Sequence, residues 1–490
     1  MTIKNKVQLI TYPDSMGGNL PALNQLLSKH FKVVFQGGIH ILPPFPSSAD
    51  RGFAPTTYFE IDPAFGTWED IRAIGEHFDV MLDLMVNHIS RQSTCFQDFV
   101  RKGRSSKYAD MFITLDKVWS GGDPPPEDIA NIFLRKPEHP FSDIIIESTG
   151  ETERIWTSFG PRVDYAEQID LDVNSPVTKD FLIDILTHFS QQNIKFVRLD
   201  AVAYAIKKPG TTCFMVEPEV YAFIDWLAEQ AAGVGLELLP EVHDHLTTQI
   251  KLAEHGYWVY DFVLPMLILY TLFNTTSTKL RNYLRICPRN QFTMLDCHDG
   301  IPVQPDMDDI LTMGESKKVV DVCLERGANL NTILSANKII DGFDAHQINC
   351  TYYSALDSDD DAYIAARAIQ FFAPGVPQVY YVGLLAGEND YKGVERSGEG
   401  RAINRCNYSV DEVEQALAKD VVQQLLKLIR FRNNHPAFDG RLDIPASYEG
   451  ELLLTWVNED QWCRLNVDLH TCKTLIKYTD QNGNVKSCDI

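Results

Sequence analysis

Three acidic residues each end a short segment that is rich in apolar residues: Asp200 in FVRLD, Glu241 in LLPE and Asp299 in QFTMLDCHD. Cleavage of a glycosidic bond with retention uses one carboxylate as nucleophile and one carboxylic acid as proton donor, about 5–5.5 Å apart. Asp200 and Glu241 are candidates for these two roles. Any one of the three residues, taken alone, fits a helix cap or a loop anchor equally well, so the argument depends on their order and setting.

An apolar run that ends in a carboxylate is how a buried parallel strand delivers a side chain to the carboxyl edge of a barrel. From the amino terminus, strand-like runs alternate with helical stretches: VQLITY, a helix near Leu20–His30, GIHILP, a helix near Trp68–His77, and VMLDLMVNH. This alternation predicts a parallel sheet closed as a barrel.

Five short motifs follow one another in a characteristic order along the chain. They are Asp83-x-x-x-Asn87-His88, the segment IDLDVNSP, Arg198-x-Asp200, Glu241 and His298-Asp299. In this order they resemble the alpha-amylase family of (β/α)8-barrel glucosidases and transglycosylases. The resemblance implies a TIM barrel with two inserted subdomains and a small C-terminal antiparallel β domain.

The same resemblance implies a role for each motif residue. Asp200 would be the nucleophile, Glu241 the general acid/base and Asp299 the stabiliser of the transition state. Arg198 would keep the nucleophile charged, since a cation within about 4–6 Å favours the ionised carboxylate. His88 and His298 would donate hydrogen bonds to glucose hydroxyls; outside this constellation, each would fit a satisfied core histidine.

The pattern breaks at several points and so predicts domain boundaries. The region after His88 is polar and contains GGDPPP, the region after Asp299 is rich in Asp and Asn, and short alternating strands follow Gly440. The predicted segments are a barrel in three parts (1–88, 173–300 and 360–438), an inserted domain B (89–172), an inserted domain B′ (301–359) and a C-terminal β domain (439–490).

Composition limits the partners that the chain is expected to bind. A net charge of −23 argues against nucleic acid and anionic membranes. We find no secretory signal and no apolar run long enough to span a bilayer, which indicates a cytoplasmic protein. The ten cysteines show no spacing typical of a zinc site or a disulfide framework, so we expect free thiols and no metal.

Other segments resemble the sucrose phosphorylase branch of the family over nearly the whole chain. They are KNKVQLITYPDSMGGNL, HILPPFPSSADRGFAP, CTYYSAL, PGVPQVYYVGLLAGEND and the INR at 403–405. The branch implies a compact glucose pocket in which Phe53 stacks on the sugar and Asp50 pairs with Arg405. The whole predicted pocket is Asp50, Phe53, His88, Arg198, His298 and Arg405. A surface ion pair of little consequence is the alternative for Asp50 and Arg405.

A phosphorylase needs cationic or hydrogen-bonding groups where phosphate, rather than water, enters. The resemblance assigns this task to two mobile loops, IFLRKPEHPF with Arg135 and Lys136, and GFDAHQINC. In the second loop, Asp344 and Gln347 would bind fructose hydroxyls, and Tyr204 and Val242 would line the same acceptor site. Inorganic phosphate is the implied co-substrate, no cofactor is implied, and a homodimer is carried over from the branch.

His346 departs from the branch, where an aromatic residue, usually Tyr, is expected. A pair formed by Arg135 and His346 resembles the subgroup that acts on sucrose 6′-phosphate, and an arginine fork with a further imidazole donor suits a dianion. The alternative is that Arg135 serves inorganic phosphate only, which leaves plain sucrose as the donor. Pro44 and Cys297, where an aromatic residue and Thr are expected, are further departures.

Other functions remain open at this point. Small changes in the second loop also separate phosphorylases of glucosylglycerol or glucosylglycerate. A hydrolase or transglycosylase of the same fold would release glucose even with phosphate present. A non-catalytic binding protein would be favoured only if Asp200, Glu241 or Asp299 were replaced, and all three are present.

Overall fold

The computed structural model describes residues 3–160, 166–303, 310–334, 339 and 342–489. Contacts within the chain define two compact units. Unit 1 holds Ile41–Val242 and Ile333–Asp344, and unit 2 holds Thr2–His40, His243–Thr332 and Ala345–Ile490. The boundaries between the six segments that the sequence suggests stay predictions.

The strands are short, and most of those in the main sheet are buried along their whole length. They are β1 Gln8–Thr11, β2 Gly38–Ile41, β3 Val80–Met85, β4 His88–Ser90, β5 Phe141–Ile145, β6 Thr152–Trp156, β7 Gln168–Asp170, β8 Phe196–Asp200, β9 Glu237–Pro240, β10 Val259–Asp261, β11 Gln291–Thr293, β12 Ile301–Pro302, β13 Asn329–Thr332, β14 Ala345–Asn349, β15 Val376–Tyr380, β16 Arg441–Asp443, β17 Glu451–Asn458, β18 Gln461–Asp468, β19 Thr474–Thr479 and β20 Val485–Asp489.

Eight of these strands form one sheet in the order β10-β11-β15-β1-β2-β3-β8-β9. The order follows the chain cyclically, and the pairs β3–β8, β8–β9, β10–β11, β11–β15 and β15–β1 are all parallel. This is the strand order of a (β/α)8 barrel. All six residues of strand β3 are buried, which explains why most of its side chains are apolar.

The helices follow the strands in the expected alternation. They are α1 Leu20–Leu26, α2 Trp68–Gly75, α3 Thr94–Lys102, α4 Leu115–Val118, α5 Pro126–Asn131, α6 Pro176–Gln191, α7 Glu219–Gly233, α8 Leu246–Glu254, α9 Leu264–Asn274, α10 Thr278–Ile286, α11 Met313–Glu325, α12 Tyr352–Ala355, α13 Asp360–Phe372, α14 Tyr381–Leu384, α15 Tyr391–Ser397, α16 Val410–Leu417 and α17 Asp420–Asn434.

Side-chain caps fix where several helices begin. Thr67 and Asp70 form a reciprocal capping box at the start of α2, and Ser175 caps α6 with Pro176 in its first turn. The helix expected near Leu20–His30 is regular only to Leu26 and continues as a π-helical turn over Leu27–Phe31. In the part of the chain that the structure describes, no helix combines the length and apolarity needed to cross a bilayer.

The region between β3 and β8 has its own apolar cores, although its sequence is polar. Strands β5 and β6 form a hairpin, and β4 pairs with β7. One cluster contains Phe96, Phe99 and Phe112, and a second contains Trp119 and Trp156, whose rings stack 5.6 Å apart. A few large aromatic residues therefore form these cores, although the region as a whole is polar in composition.

The last strands, β16 to β20, form a five-stranded antiparallel sheet in chain order. The sequence predicts β17, β18 and β19 from their alternating pattern. The two outer strands, β16 and β20, were not predicted because they are short and largely exposed. Strands β12, β14 and β13 form a separate three-stranded sheet.

Candidate active site

In unit 1, the parallel register brings two of the three acidic residues to the same edge of the sheet. Asp200 is the last residue of β8, and Glu241 directly follows β9, which pairs with β8. On the other side of β8, Asp83 of β3 lies opposite Arg198. The carboxyl ends of three adjacent strands thus deliver the charged groups.

Arg198 connects these three carboxylates. Its Nη1 lies 2.6 Å from Asp83 Oδ1 and 2.8 Å from Asp200 Oδ1, and its Nη2 lies 3.4 Å from Glu241 Oε1. Asp83 is fully buried, whereas the side chains of Asp200 and Glu241 retain 14% and 18% of their exposure. The two candidate catalytic groups are therefore held by one guanidinium and still reachable by a ligand.

The backbone after Asp200 takes an unusual conformation. Ala201 lies in the left-handed region, with φ 55° and ψ 23°, and its N–H donates to Glu241 Oε2 at 3.2 Å. Residues other than glycine adopt this conformation at a cost, and such residues cluster at functional sites. Here the conformation aims a backbone donor at the candidate acid/base.

His88 begins β4 and is buried. Its Nε2 donates to the Phe53 carbonyl at 2.9 Å, and its Nδ1 lies 3.4 Å from the amide nitrogen of Asn87. Burial lowers the pKa of His88, which favours the neutral imidazole. In this state the Nε2 proton is engaged, so a hydrogen bond to glucose from that atom requires an exchange of partner.

Phe53 and Asp50 lie in a tight turn of unit 1. The Phe53 ring faces the Arg198 guanidinium, with 5.9 Å between the ring centroid and Cζ. Asp50 and Arg51 both have positive φ, at 48° and 50°. Gly52 follows, and a Cβ there would lie 2.5 Å from the Pro43 carbonyl oxygen, so the turn requires glycine.

A buried lysine that the sequence did not single out contacts the residues around His88 in unit 1. Lys207 Nζ binds Asp170 Oδ2 at 2.7 Å, Asn87 Oδ1 at 2.8 Å and the Tyr204 carbonyl. Because Asn87 also contacts His88, the ammonium group fixes the amide that orients the imidazole. Asp170 lies in the IDLDVNSP motif, but no sequence signal marked Lys207 as its partner.

The first acceptor loop contains two neighbouring cations with different environments. Lys136 is buried and donates to Ser142 and Thr157. Arg135 is half-buried, and its Cζ lies 6.0 Å above the Phe159 ring. Among the described residues, no carboxylate pairs with Arg135. Lys136 is thus engaged in structure, and Arg135 is available to an anion.

Tyr204, a predicted acceptor residue, belongs to an aromatic group in unit 1. Its ring contacts Phe159 and Phe214 edge-on and stacks on Phe133, at centroid distances of 5.0, 4.9 and 6.1 Å. Val242, beside Glu241, is buried. The Asp344 carbonyl accepts a hydrogen bond from the Ile333 N–H.

In unit 2, Asp299 lies beside two arginines and a histidine. Arg401 Nη1 binds its Oδ1 at 2.7 Å, Arg405 Nη2 lies 3.6 Å from the same oxygen, and His298 Nε2 lies 3.5 Å from Oδ2. Arg405 also donates through Nε to the His298 carbonyl. Arg401 was not predicted, although it lies just before the INR segment that pointed to Arg405.

Cys297, His298 and Asp299 offer three ligand-type atoms within 4.8 Å of one another. A metal ion there would share Asp299 Oδ1 with two guanidinium groups, Arg401 and Arg405. Their positive charge already neutralises the carboxylate, so this set fits a cation poorly. All ten cysteines are free thiols.

His346 lies on β14 and is buried. Its ring stacks on His243 with centroids 4.5 Å apart, and His243 in turn stacks on Phe262 at 4.8 Å. The neighbouring Gln347 accepts a hydrogen bond from Asn331 at 3.0 Å. Unit 2 therefore brings His298, Asp299 and Arg405 together in one cluster and places His346 and Gln347 on strand β14.

The structure thus places the predicted residues in two sets. Asp50, Phe53, His88, Arg135, Arg198, Asp200, Tyr204, Glu241, Val242 and Asp344 belong to unit 1, and His298, Asp299, His346, Gln347 and Arg405 belong to unit 2. The pairing of Asp50 with Arg405 stays a prediction, as do the catalytic and binding roles of all these residues.

Comparison with known proteins identifies the family. Residues 29–252 match the family model described as the alpha amylase catalytic domain. The chain is 59% identical over 484 residues to a sucrose 6(F)-phosphate phosphorylase of Thermoanaerobacterium thermosaccharolyticum, with 99% of each chain covered. It is 45% identical to a sucrose phosphorylase of Streptococcus mutans, with 94% of each chain covered.

A solved structure supports the same assignment. The crystal structure of sucrose 6F-phosphate phosphorylase from Thermoanaerobacter thermosaccharolyticum matches with a TM-score of 0.96 and 58% identity, covering 100% of this chain and 98% of that one. The predicted (β/α)8 barrel with a C-terminal β domain is confirmed. The chain belongs to the sucrose phosphorylase branch of the alpha-amylase family and is a glucosyl phosphorylase.

Proposed function

We propose that the chain transfers glucose between sucrose 6′-phosphate and inorganic phosphate, forming α-D-glucose 1-phosphate and fructose 6-phosphate. The observation that carries this choice is the environment of Arg135. This arginine has no carboxylate partner among the described residues, in a protein with a net charge of −23. The 59% identical relative named sucrose 6(F)-phosphate phosphorylase supports the same donor.

The reaction proceeds by two displacements. A carboxylate oxygen of Asp200 attacks the anomeric carbon while the carboxylic acid of Glu241 gives its proton to the departing fructosyl oxygen. Asp299 stabilises the positive charge that develops on the sugar. The products of this step are a covalent β-glucosyl ester on Asp200 and fructose 6-phosphate.

In the second step Glu241, now a carboxylate, removes a proton from inorganic phosphate. A phosphate oxygen attacks the anomeric carbon, and Asp200 leaves as a free carboxylate. Two inversions give net retention, hence the α anomer of glucose 1-phosphate. The shared contact of Arg198 with Asp200 and Glu241 supports these roles, because it holds both groups at one edge of the sheet.

The acceptor site distinguishes fructose 6-phosphate from fructose by its charge. Arg135 offers a planar fork for two phosphate oxygens, and His346 adds one imidazole donor. Asp344 and Gln347 bind fructose hydroxyls, and Tyr204 and Val242 line the site. A hydrogen bond to a charged group contributes about 1.5–3 kcal/mol, so the two donors together favour a phosphorylated acceptor over fructose by on the order of 100-fold or more.

The proposal includes no cofactor and no resident metal, since carboxylates and hydrogen-bond donors suffice for both steps. The buried ammonium group of Lys207 supports the absence of a metal ion beside it. This group already binds the oxygens of Asp170 and Asn87, which are the kind of ligand that a metal ion would need. We also propose a cytoplasmic location and a homodimer, both by analogy with the branch.

Substitution of Arg135 tests the proposal. With glucose 1-phosphate as donor, R135A should lower kcat/KM for fructose 6-phosphate by about 10- to 100-fold and leave that for fructose within about threefold. R135K is the matched control, because it keeps the charge but loses the fork and should fall between the two. Equal losses for both acceptors in R135A would contradict the role of Arg135, and a wild-type preference for fructose would contradict the proposed donor.

A further inference from the structure

The position of the Arg135 guanidinium depends on few contacts. The backbone before it is anchored, because the Phe133 N–H donates to the Thr212 carbonyl at 2.9 Å and the Phe133 ring stacks near Tyr204. The residue after it, Lys136, is buried and hydrogen-bonded. Between these fixed points, the side chain of Arg135 contacts the face of Phe159, with Cζ 6.0 Å from the centroid.

Phe159 is itself held by two other rings. Its centroid lies 5.3 Å from that of His88, with 46° between the ring planes, and 5.0 Å from that of Tyr204, which it meets edge-on. One aromatic ring thus contacts a histidine of the candidate glucose pocket and the arginine of the candidate phosphate site. Phe159 lies outside all of the sequence motifs named above.

A guanidinium above an aromatic face is attracted by the ring electrons, and this attraction fixes its position without using its N–H donors. A carboxylate in the same place would accept hydrogen bonds from the guanidinium N–H groups and neutralise the charge that attracts a phosphate. An aromatic support therefore orients Arg135 while it leaves the fork open to an anion.

We propose that Phe159 is a positioning residue for phosphate recognition: its ring holds the Arg135 guanidinium ready for a phosphorylated acceptor. The inference rests on the proposed function, since it concerns the same phosphate site. Phe159 acts through Arg135 and makes no bond to the reacting atoms.

The test compares F159L, which keeps apolar volume but removes the aromatic face, with F159Y, which keeps the face. For each variant, KM and kcat are measured with fructose 6-phosphate, fructose and glucose 1-phosphate. F159L should raise KM for fructose 6-phosphate by about 3- to 10-fold, as expected for loss of one cation–π contact. The KM for fructose should rise by less than the KM for fructose 6-phosphate, and F159Y should restore the KM for fructose 6-phosphate.

R135A, measured alongside, separates the two claims. If R135A loses the preference for fructose 6-phosphate and F159L keeps it, the positioning role is wrong and the proposed donor stands. If R135A keeps the preference, the phosphate-binding role of Arg135 is wrong, and if the wild-type protein shows no preference for fructose 6-phosphate, the proposed donor is wrong. Equal increases in KM for fructose and fructose 6-phosphate in F159L, or no recovery in F159Y, would also contradict the positioning role, because a general structural defect would then explain the loss.

Discussion

Arg198 is the residue through which the candidate nucleophile and the candidate acid/base are linked. Its guanidinium lies 2.8 Å from Asp200 and 3.4 Å from Glu241, while Asp83, fully buried, binds the same group at 2.6 Å. The single positive charge of Arg198 therefore stabilises three acidic side chains that are largely buried. Because Asp83 anchors the arginine from below, Asp200 and Glu241 stay aimed at the same edge of the sheet.

The two proposed catalytic residues differ in what their loss should abolish. E241Q lacks the proton donor, so it should still react with α-glucosyl fluoride, whose leaving group needs no proton. Azide should accelerate turnover by attacking the anomeric carbon of the glucosyl-enzyme, which frees Asp200 and releases the sugar as glucosyl azide. D200N lacks the nucleophile and should lose turnover with every donor by on the order of 10⁴-fold or more.

Fluoride release and product formation, followed with and without azide, distinguish the two variants. Circular dichroism of both variants serves as the control for folding. Near-normal activity of D200N, or complete inactivity of E241Q with the fluoride, would contradict the assigned roles.

Asp261 joins four elements of unit 2. It ends β10, accepts hydrogen bonds from the N–H groups of Val263 and Leu264 at the start of α9, from Tyr283 of α10 and from Gln291 of β11. Burial raises the pKa of Asp261 to about 6, although the hydrogen bonds from these donors act in the opposite direction. The native state therefore binds a proton at Asp261 more tightly than the unfolded chain does.

This shift predicts a pH dependence of stability. The contribution of Asp261 is fully present below a pH of about 4 and is lost as the pH rises through about 6, a change of about 3 kcal/mol. The stability of the wild type relative to D261N should therefore fall between pH 4.5 and pH 7, in calorimetric or urea unfolding. D460N, at an exposed turn residue, is the control and should show no such trend. A constant difference between wild type and D261N over this range would refute the shift.

Much of the site could be predicted because it lies at strand ends. Asp200 and Glu241 each close an apolar run, and parallel pairing places such residues on one edge. Lys207 and Arg401 could not be predicted, since their partners are distant in sequence and a lone cation carries no periodic signal. The left-handed backbone of Ala201 was equally hidden, because alanine does not mark positive φ as glycine does.

Within unit 2, the C-terminal antiparallel sheet packs against helix α13 of the barrel. Trp456 of β17 is 6% exposed, and its Nε1 donates to the carbonyl of Phe372, the last residue of α13. Its ring also packs near Phe438, at 5.9 Å. The C-terminal sheet is thus bound to a barrel helix through a large buried side chain.

Trp456 should therefore stabilise the whole chain rather than serve the reaction. W456A should lower the free energy of unfolding by about 3–5 kcal/mol, since it leaves a cavity and an unpaired carbonyl. Urea unfolding measures this, and kcat at 25 °C should change little. W462A, at a half-exposed position on β18, is the matched control and should cost much less. Equal losses in the two variants would argue against an anchoring role.

The net charge of −23 makes the recognition of a dianion a property of local groups, since the protein as a whole repels anions. We propose that Arg135 and His346 overcome this repulsion for a phosphorylated acceptor. Phosphate release from glucose 1-phosphate by the wild-type protein, measured with fructose 6-phosphate or fructose as acceptor, tests this proposal. We predict a kcat/KM for fructose 6-phosphate at least about 100-fold higher. A preference for fructose, or activity only with an uncharged acceptor such as glycerol, would show that the acceptor is not a sugar phosphate.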